Sequence, residues 1–173
     1  MPVVLKLLLT CWFGCIFKRY LSTYPHPVHY ALMNANKFAS VCSAISPDQL
    51  GQLFHLPAVT LPFCGYRKAL PMHTIIRLEG EGNYSTFYFS DGTRLVVSLT
   101  LKKLFARLSP DVFARPHKKN IVNMLYLEEL HPLRNQLTVL LANGDRVEVS
   151  RRKANLFFRQ FDDFQQKIQL LVN

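Results

Sequence analysis

The stretch F-A-R-P-H-K-K-N-I-V-N at residues 113–123 decides how this chain is read. Arg115, His117, Lys118 and Lys119 fall within five residues, and a short apolar run ending in Asn123 follows. That is a cationic, hydrogen-bonding loop fastened to a strand. A second basic cluster, Ser150-Arg151-Arg152-Lys153, opens a helical pattern about thirty residues later. Cations at a helix N-terminus oppose the helix dipole and cost a few tenths of a kcal/mol. A solvated basic turn is one reading of such a cluster. Backbone N–H groups left free there, together with the cations, make an anion site. Two clusters in one small segment point to a polyanion as partner.

The placement of charge supports the same partner. The chain has 173 residues and a net charge of +10. Residues 63–160 hold sixteen Lys and Arg against eight Asp and Glu, whereas residues 161–173 hold one against two. The excess therefore sits on the segment with the most regular patterning. A hydrophobic content of 49% is enough for a packed core. A basic domain favours nucleic acid or an anionic membrane surface.

Working outward from 113–123, the flanks read as short strands joined by tight turns. Residues 61–64 and 67–70 flank Gly65-Tyr66 as a small hairpin. Residues 73–79 alternate as a strand with Ile76 and Leu78 on one face. Residues 79–83 read as a loop whose two glycines take positive φ. Residues 84–89 are rich in aromatics and Thr and read as a strand. Asp91-Gly92 and Asn143-Gly144 are hairpin signals. Thr100 caps a helix over 101–108, with Leu101, Leu104, Phe105 and Leu108 at helical spacing. Strands follow at 125–131, 137–142 and 146–150. A terminal helix runs from Arg151 to about Leu170, with Phe157, Phe161, Phe164, Ile168 and Leu171 as its buried stripe. No β-α-β alternation occurs, so a parallel sheet is not expected. The expected fold is mainly β with short α, antiparallel over about 61–160.

Residues 1–60 read as an extension with an apolar start. Ser46-Pro47 begins one short helix there, with Leu50, Leu53 and Phe54 on a face. Residues 3–17 are largely apolar but shorter than the roughly 18–20 residues that cross a bilayer. Followed by Lys18-Arg19, they either lie on a membrane as an amphipathic anchor or form a poorly packed extension.

Catalytic and metal chemistry find little support. The four cysteines, Cys11, Cys15, Cys42 and Cys64, form no C-x-x-C pair and read as free thiols. His26 and His29 flank a proline and lack a third ligand, so no metal site is expected. No G-x-S-x-G, H-E-x-x-H, P-loop or G-x-G-x-x-G occurs. Glu79 and Glu81 read as a solvated turn. The expectation is no enzyme, no cofactor and no metal. His117 is open between a structural and a DNA-contacting role. Asn120, Asn123 and Asn155 lie beside the clusters and carry the amide groups that read adenine edges.

Residues 61–160 resemble the LytTR DNA-binding domain, typically the output half of bacterial two-component response regulators. The carrying motifs are I-I-R-L-E-G-E-G-N-Y at 75–84, D-G at 91–92 and S-L-T-L-K-K-L at 98–104. The block at 113–123, N-G-D-R-V-E-V at 143–149 and S-R-R at 150–152 complete the series. The resemblance implies an elongated arrangement of small antiparallel sheets with short helices. It implies a cytoplasmic transcription regulator that reads successive major grooves through loops. Site residues implied or read beside it are Asn83, Tyr84, His117, Lys118, Lys119, Asn120, Arg151, Arg152 and Lys153. Phe113, Val122 and Leu104 fall at apolar motif positions. Lys119 stands where the family often has serine, and Pro116 stiffens the approach to His117. Residues 1–60 show no receiver-like β-α-β repeat or acidic phosphoacceptor cluster, and residues 161–173 continue the last helix. The expected partner is double-stranded DNA, with a homodimer on paired sites implied by the family. The rivals are a membrane-associated basic module anchored by residues 3–19, and a non-DNA-binding inhibitory partner of another LytTR protein.

Overall fold

A computed structural model of the chain describes residues 46–63, 66–133 and 136–172. The expectations for residues 1–45 and for Cys64 lie outside these. Helix α1 (Pro47–Leu53) begins at a reciprocal cap. The Gln49 N–H donates to the Ser46 hydroxyl at 3.2 Å, and the Ser46 N–H donates to the Gln49 side chain at 3.0 Å. Its Leu50 is buried, while Leu53 stands exposed rather than sharing the buried face.

Among the described residues, ten strands follow in three antiparallel sheets. Strands β1 (Ala58–Phe63) and β2 (Tyr66–Pro71) form a two-stranded hairpin. The five-stranded sheet has the order β5-β4-β3-β7-β6, built from β3 (Ile75–Glu81), β4 (Tyr84–Phe89), β5 (Arg94–Val97), β6 (Phe113–His117) and β7 (Asn120–Asn123). The third sheet has the order β10-β9-β8, from β8 (Leu127–Leu133), β9 (Gln136–Leu141) and β10 (Arg146–Val149). Helix α2 (Leu101–Phe105) is inserted between β5 and β6, and α3 (Ala154–Val172) closes the fold. The mainly β class with small antiparallel sheets is thus the observed one. The last helix, at 19 residues, is longer than a short helix.

Local sequence accounts for most of these elements. Gly92 and Gly144 take φ of +80° and +81° in the turns before β5 and β10, where a Cβ would be strained. The alternation in β9 buries Leu137, Val139 and Leu141. On α3, Phe157, Phe158, Phe161, Phe164, Gln165 and Ile168 are buried, and the Phe164 ring stacks on Phe54 at 5.5 Å. Leu171 is exposed, so the expected stripe ends one turn early. Phe113, Val122 and Leu104 are all buried, as their apolar motif positions require.

Several expected elements differ. His73 belongs to a 3-10 turn (Met72–Thr74), and β3 starts only at Ile75. Helix α2 stops at Phe105, and Thr100 makes no side-chain cap bond. Strand β3 runs through Gly80 to Glu81, so of the two expected turn glycines only Gly82 has positive φ, +58°. Gly80 serves packing instead. A Cβ there would lie 2.6 Å from the Leu101 Cδ1 of α2.

Candidate nucleic-acid interface

The block at 113–123 forms a hairpin rather than a loose loop. His117 pairs with Asn120 across it, leaving Lys118 and Lys119 as a two-residue turn. The pairing is irregular between Ala114 and His117. Pro116 lies in that gap, and proline has no N–H to give a ladder. Three bonds hold the tip. The Arg115 guanidinium donates to the Lys118 carbonyl at 2.8 Å. The Lys119 N–H donates to the His117 Nδ1 at 3.3 Å. The Gly80 N–H donates to the Lys119 carbonyl at 2.8 Å. The backbone is fixed while both lysine side chains stay exposed, and His117 and Asn120 are half-buried.

The bond from Gly80 brings in a second turn. Strand β3 lies between β4 and β7, and the β3–β4 turn is Gly82-Asn83, closed by the pair Glu81 and Tyr84. Asn83 and Tyr84 are exposed and lie at the same end of the sheet as Lys118 and Lys119. The α2 helix reaches this end too, through Leu101 over Gly80 and the Ser85 hydroxyl, which donates to the Leu99 carbonyl at 2.7 Å. It carries exposed Lys102 and Lys103. Neither was singled out from the sequence, although the pair follows the expected cap at Thr100.

The second basic cluster is a 3-10 turn, Arg151–Lys153, ahead of α3. Ser150 has extended backbone and makes no side-chain cap bond. Its N–H donates instead to the Pro116 carbonyl at 2.9 Å. Lys153 reaches the same strand, its Nζ donating to the Arg115 carbonyl at 3.2 Å. The two clusters, distant in sequence, are therefore joined side by side. Burial, and then the Arg115 charge, hold Lys153 below its ordinary pKa. The Arg115 Nε is itself buried without a partner. None of Lys118, Lys119, Arg151, Arg152 and Lys153 forms an ion pair with a described residue.

Two polar residues serve the fold instead. Asn123 is fully buried. Its Nδ2 donates to the Ile75 carbonyl at 2.7 Å and the Met72 carbonyl at 3.4 Å, and its Oδ1 accepts from the Leu125 N–H at 3.0 Å. It cannot read a base from there. Glu79 lies in β3 rather than in a turn, and its side chain, still 44% exposed, is tied within the five-stranded sheet. It accepts from Arg77 and from the Tyr88 hydroxyl, both at 2.9 Å. Asn155 is exposed, whereas Asn120 has its Oδ1 buried without a partner.

The sequence profile of the LytTr DNA-binding domain matches residues 67–162, more than half of the chain. The chain belongs to the LytTr family. Its fold is shared with the LytTr DNA-binding domain of a Bacillus cereus protein described as a methyl-accepting/DNA response regulator. That match has a TM-score of 0.53 and 23% identity, and it covers 60% of this chain and 95% of that one. Two heme-containing CO-sensing transcriptional regulators of Paraburkholderia xenovorans (strain LB400) are also similar. RcoM 1 is 30% identical over 111 residues and RcoM 2 is 28% identical over 102. The matches cover 62% and 57% of this chain but only 38% and 35% of those proteins. The chain thus spans little more than a third of the length of these curated relatives. LytTr is a DNA-binding family rather than an enzymatic one. No described helix is long and apolar enough to cross a membrane, and no metal-ligating cluster occurs among the described residues.

Proposed function

We propose that this chain is a sequence-specific, duplex-DNA-binding transcription regulator that reads major grooves through loops. The observation that carries the reading is the junction of the two basic clusters by the Ser150 to Pro116 and Lys153 to Arg115 bonds. It presents five cations without a described acidic partner on a LytTr domain. Lys118, Lys119, Arg152 and Lys153 neutralise phosphates, and Lys102 and Lys103 add to the same end. Asn83, Tyr84, His117 and Asn120 supply base contacts, and Arg151 serves both roles. The two similar curated proteins are by name transcriptional regulators. Work on duplex DNA places the protein in the cytoplasm of a bacterial cell. Paired sites would seat two copies on one duplex.

Selection of bound duplexes from a random pool, using the full chain at near-physiological salt, tests this reading. An enriched motif is expected. Binding to it should weaken with salt at a log–log slope of about −0.9 per phosphate neutralised. Arg151→Ala should cost about 1–3 kcal/mol on the enriched motif if the residue reads a base. An equal loss on every duplex would make it a phosphate contact only. Binding with no enriched motif would overturn the sequence-reading part of the proposal.

A further inference from the structure

The one ion-paired link between the five-stranded and three-stranded sheets, among the described residues, centres on Arg77. Its side chain, 12% exposed, lies in the middle of β3. The Nε donates to Asp145 at 2.5 Å and the NH1 donates to Glu79 at 2.9 Å. The guanidinium lies over the Tyr88 ring, 3.7 Å from its centroid, and the Tyr88 hydroxyl donates to the same Glu79 oxygen. Arg94 approaches that ring as well, at 5.0 Å. A planar, forked cation satisfies two carboxylates and an aromatic face at once, which lysine cannot reproduce.

Asp145 sits in the β9–β10 turn, where Asn143 donates to its carboxylate at 2.8 Å and its own carbonyl accepts from the Leu141 N–H. Strand β10 leaves this turn and runs four residues along β6 to Ser150. It is therefore pinned to the five-stranded sheet at both ends, by Asp145 on Arg77 at its start and by Ser150 on Pro116 at its finish. Beyond the second pin stand Arg151 and Arg152. On the other side, Arg77 pairs with Val122 and Glu79 with Asn120, the strand that carries the Lys118-Lys119 turn.

We propose that Arg77 and Asp145 are positioning residues for DNA recognition: their contact sets the spacing between the Lys118-Lys119 turn and Arg151-Arg152. This rests on the duplex-reading function above. Neither residue is assigned a contact with DNA. A rigid spacing between two cationic turns matters for a specific site, where both must meet their groups together, and hardly at all for non-specific attraction to phosphates.

Charge counting makes the opposite prediction, and this separates the two. Asp145→Asn removes a negative charge from a chain of net charge +10, so electrostatics alone strengthens binding to every duplex. Positioning predicts that the full chain carrying Asp145→Asn loses at least ten-fold affinity for the enriched duplex. Its affinity for random duplex and its salt slope should stay near those of the wild type. Arg77→Lys should show the same loss of selectivity at unchanged formal charge. Circular dichroism and thermal melts confirm that each variant is folded at the assay temperature. Equal losses on both duplexes, or a gain on both for Asp145→Asn, overturn the proposal. Amide exchange on the DNA-free chain gives an independent reading. The Ser150 amide should exchange faster in Asp145→Asn, and unchanged protection there also overturns it. If the wild type enriches no motif, the duplex-reading function fails first, and the Ser150 amide still decides whether Asp145 holds β10 in place.

Discussion

Asn123 shows how a single side chain can be misread from its neighbours. It ends a basic block, so it looks like a base reader, yet it spends its amide on Met72, Ile75 and Leu125. Replacing it with Ala leaves two carbonyls and one N–H buried without these partners. We expect Asn123→Ala to destabilise the fold by about 2–3 kcal/mol. A urea midpoint that falls at unchanged slope would show it, and a stable variant with altered DNA selectivity would return Asn123 to the interface. Gly80 departs from its expected turn role for a related reason. Its freedom of φ is unused, and its lack of a Cβ lets Leu101 pack on the strand. Both cases depend on a neighbour remote in sequence.

At the scale of elements, periodicity served the long helix best. The expected stripe Phe157, Phe161, Phe164 and Ile168 is buried, and only Leu171 departs. Phe158 and Gln165 are buried as well, because α3 packs along β6 and against Phe54. One residue on this helix is costly. Burial, and then the Asp163 charge, push the Asp162 carboxyl above its ordinary pKa, and its Oδ1 is buried without a partner. A raised acid pKa means that the ionised form weakens the fold at neutral pH. Asp162→Asn should therefore stabilise the protein, by a few tenths of a kcal/mol to about 1 kcal/mol. A rise in melting temperature at pH 7 that disappears at acid pH would confirm it, and a fall would show that the carboxylate has a partner. The shorter elements were less legible. Helix α2 ends at Phe105, and the 3-10 turns before β3 and β8 take residues assigned to strands. Such short segments carry too few periods to distinguish one element from another.

Across the whole molecule, stability at low pH reports on the contact between sheets. Burial pushes Asp145 up. The hydrogen bonds from Arg77 and Asn143 and the Arg77 charge outweigh it, and hold the carboxyl below its ordinary value. Glu79 is held low chiefly by its hydrogen bond from Arg77. Burial lowers Arg77, but its bonds to Asp145 and Glu79 leave it raised and charged. A lowered acid pKa contributes stability that is complete above the unfolded value, about pH 4, and is lost as pH falls through the folded one. The stability gap between wild type and Asp145→Asn should therefore be widest near neutral pH and shrink below about pH 4. Urea midpoints from pH 7 to pH 3 measure it. A gap that stays constant to pH 3 would mean that the charge of Asp145 contributes nothing.

By itself the sequence determined the antiparallel, mainly β class, most of the turns, the stripe of the last helix and the two basic clusters. These depend on φ preference and on apolar spacing within a few residues, and both are local. Its motifs also carried the LytTr resemblance, because their order along the chain survives without coordinates. Only the tertiary structure decided that the clusters adjoin, since Ser150 and Lys153 reach Pro116 and Arg115 across more than thirty residues. It likewise tied Glu79 to Arg77 and Tyr88 within the five-stranded sheet, and added Lys102 and Lys103 to the basic end. Contacts of that kind depend on how sheets pack, and no local pattern encodes the distance between residues 77 and 145.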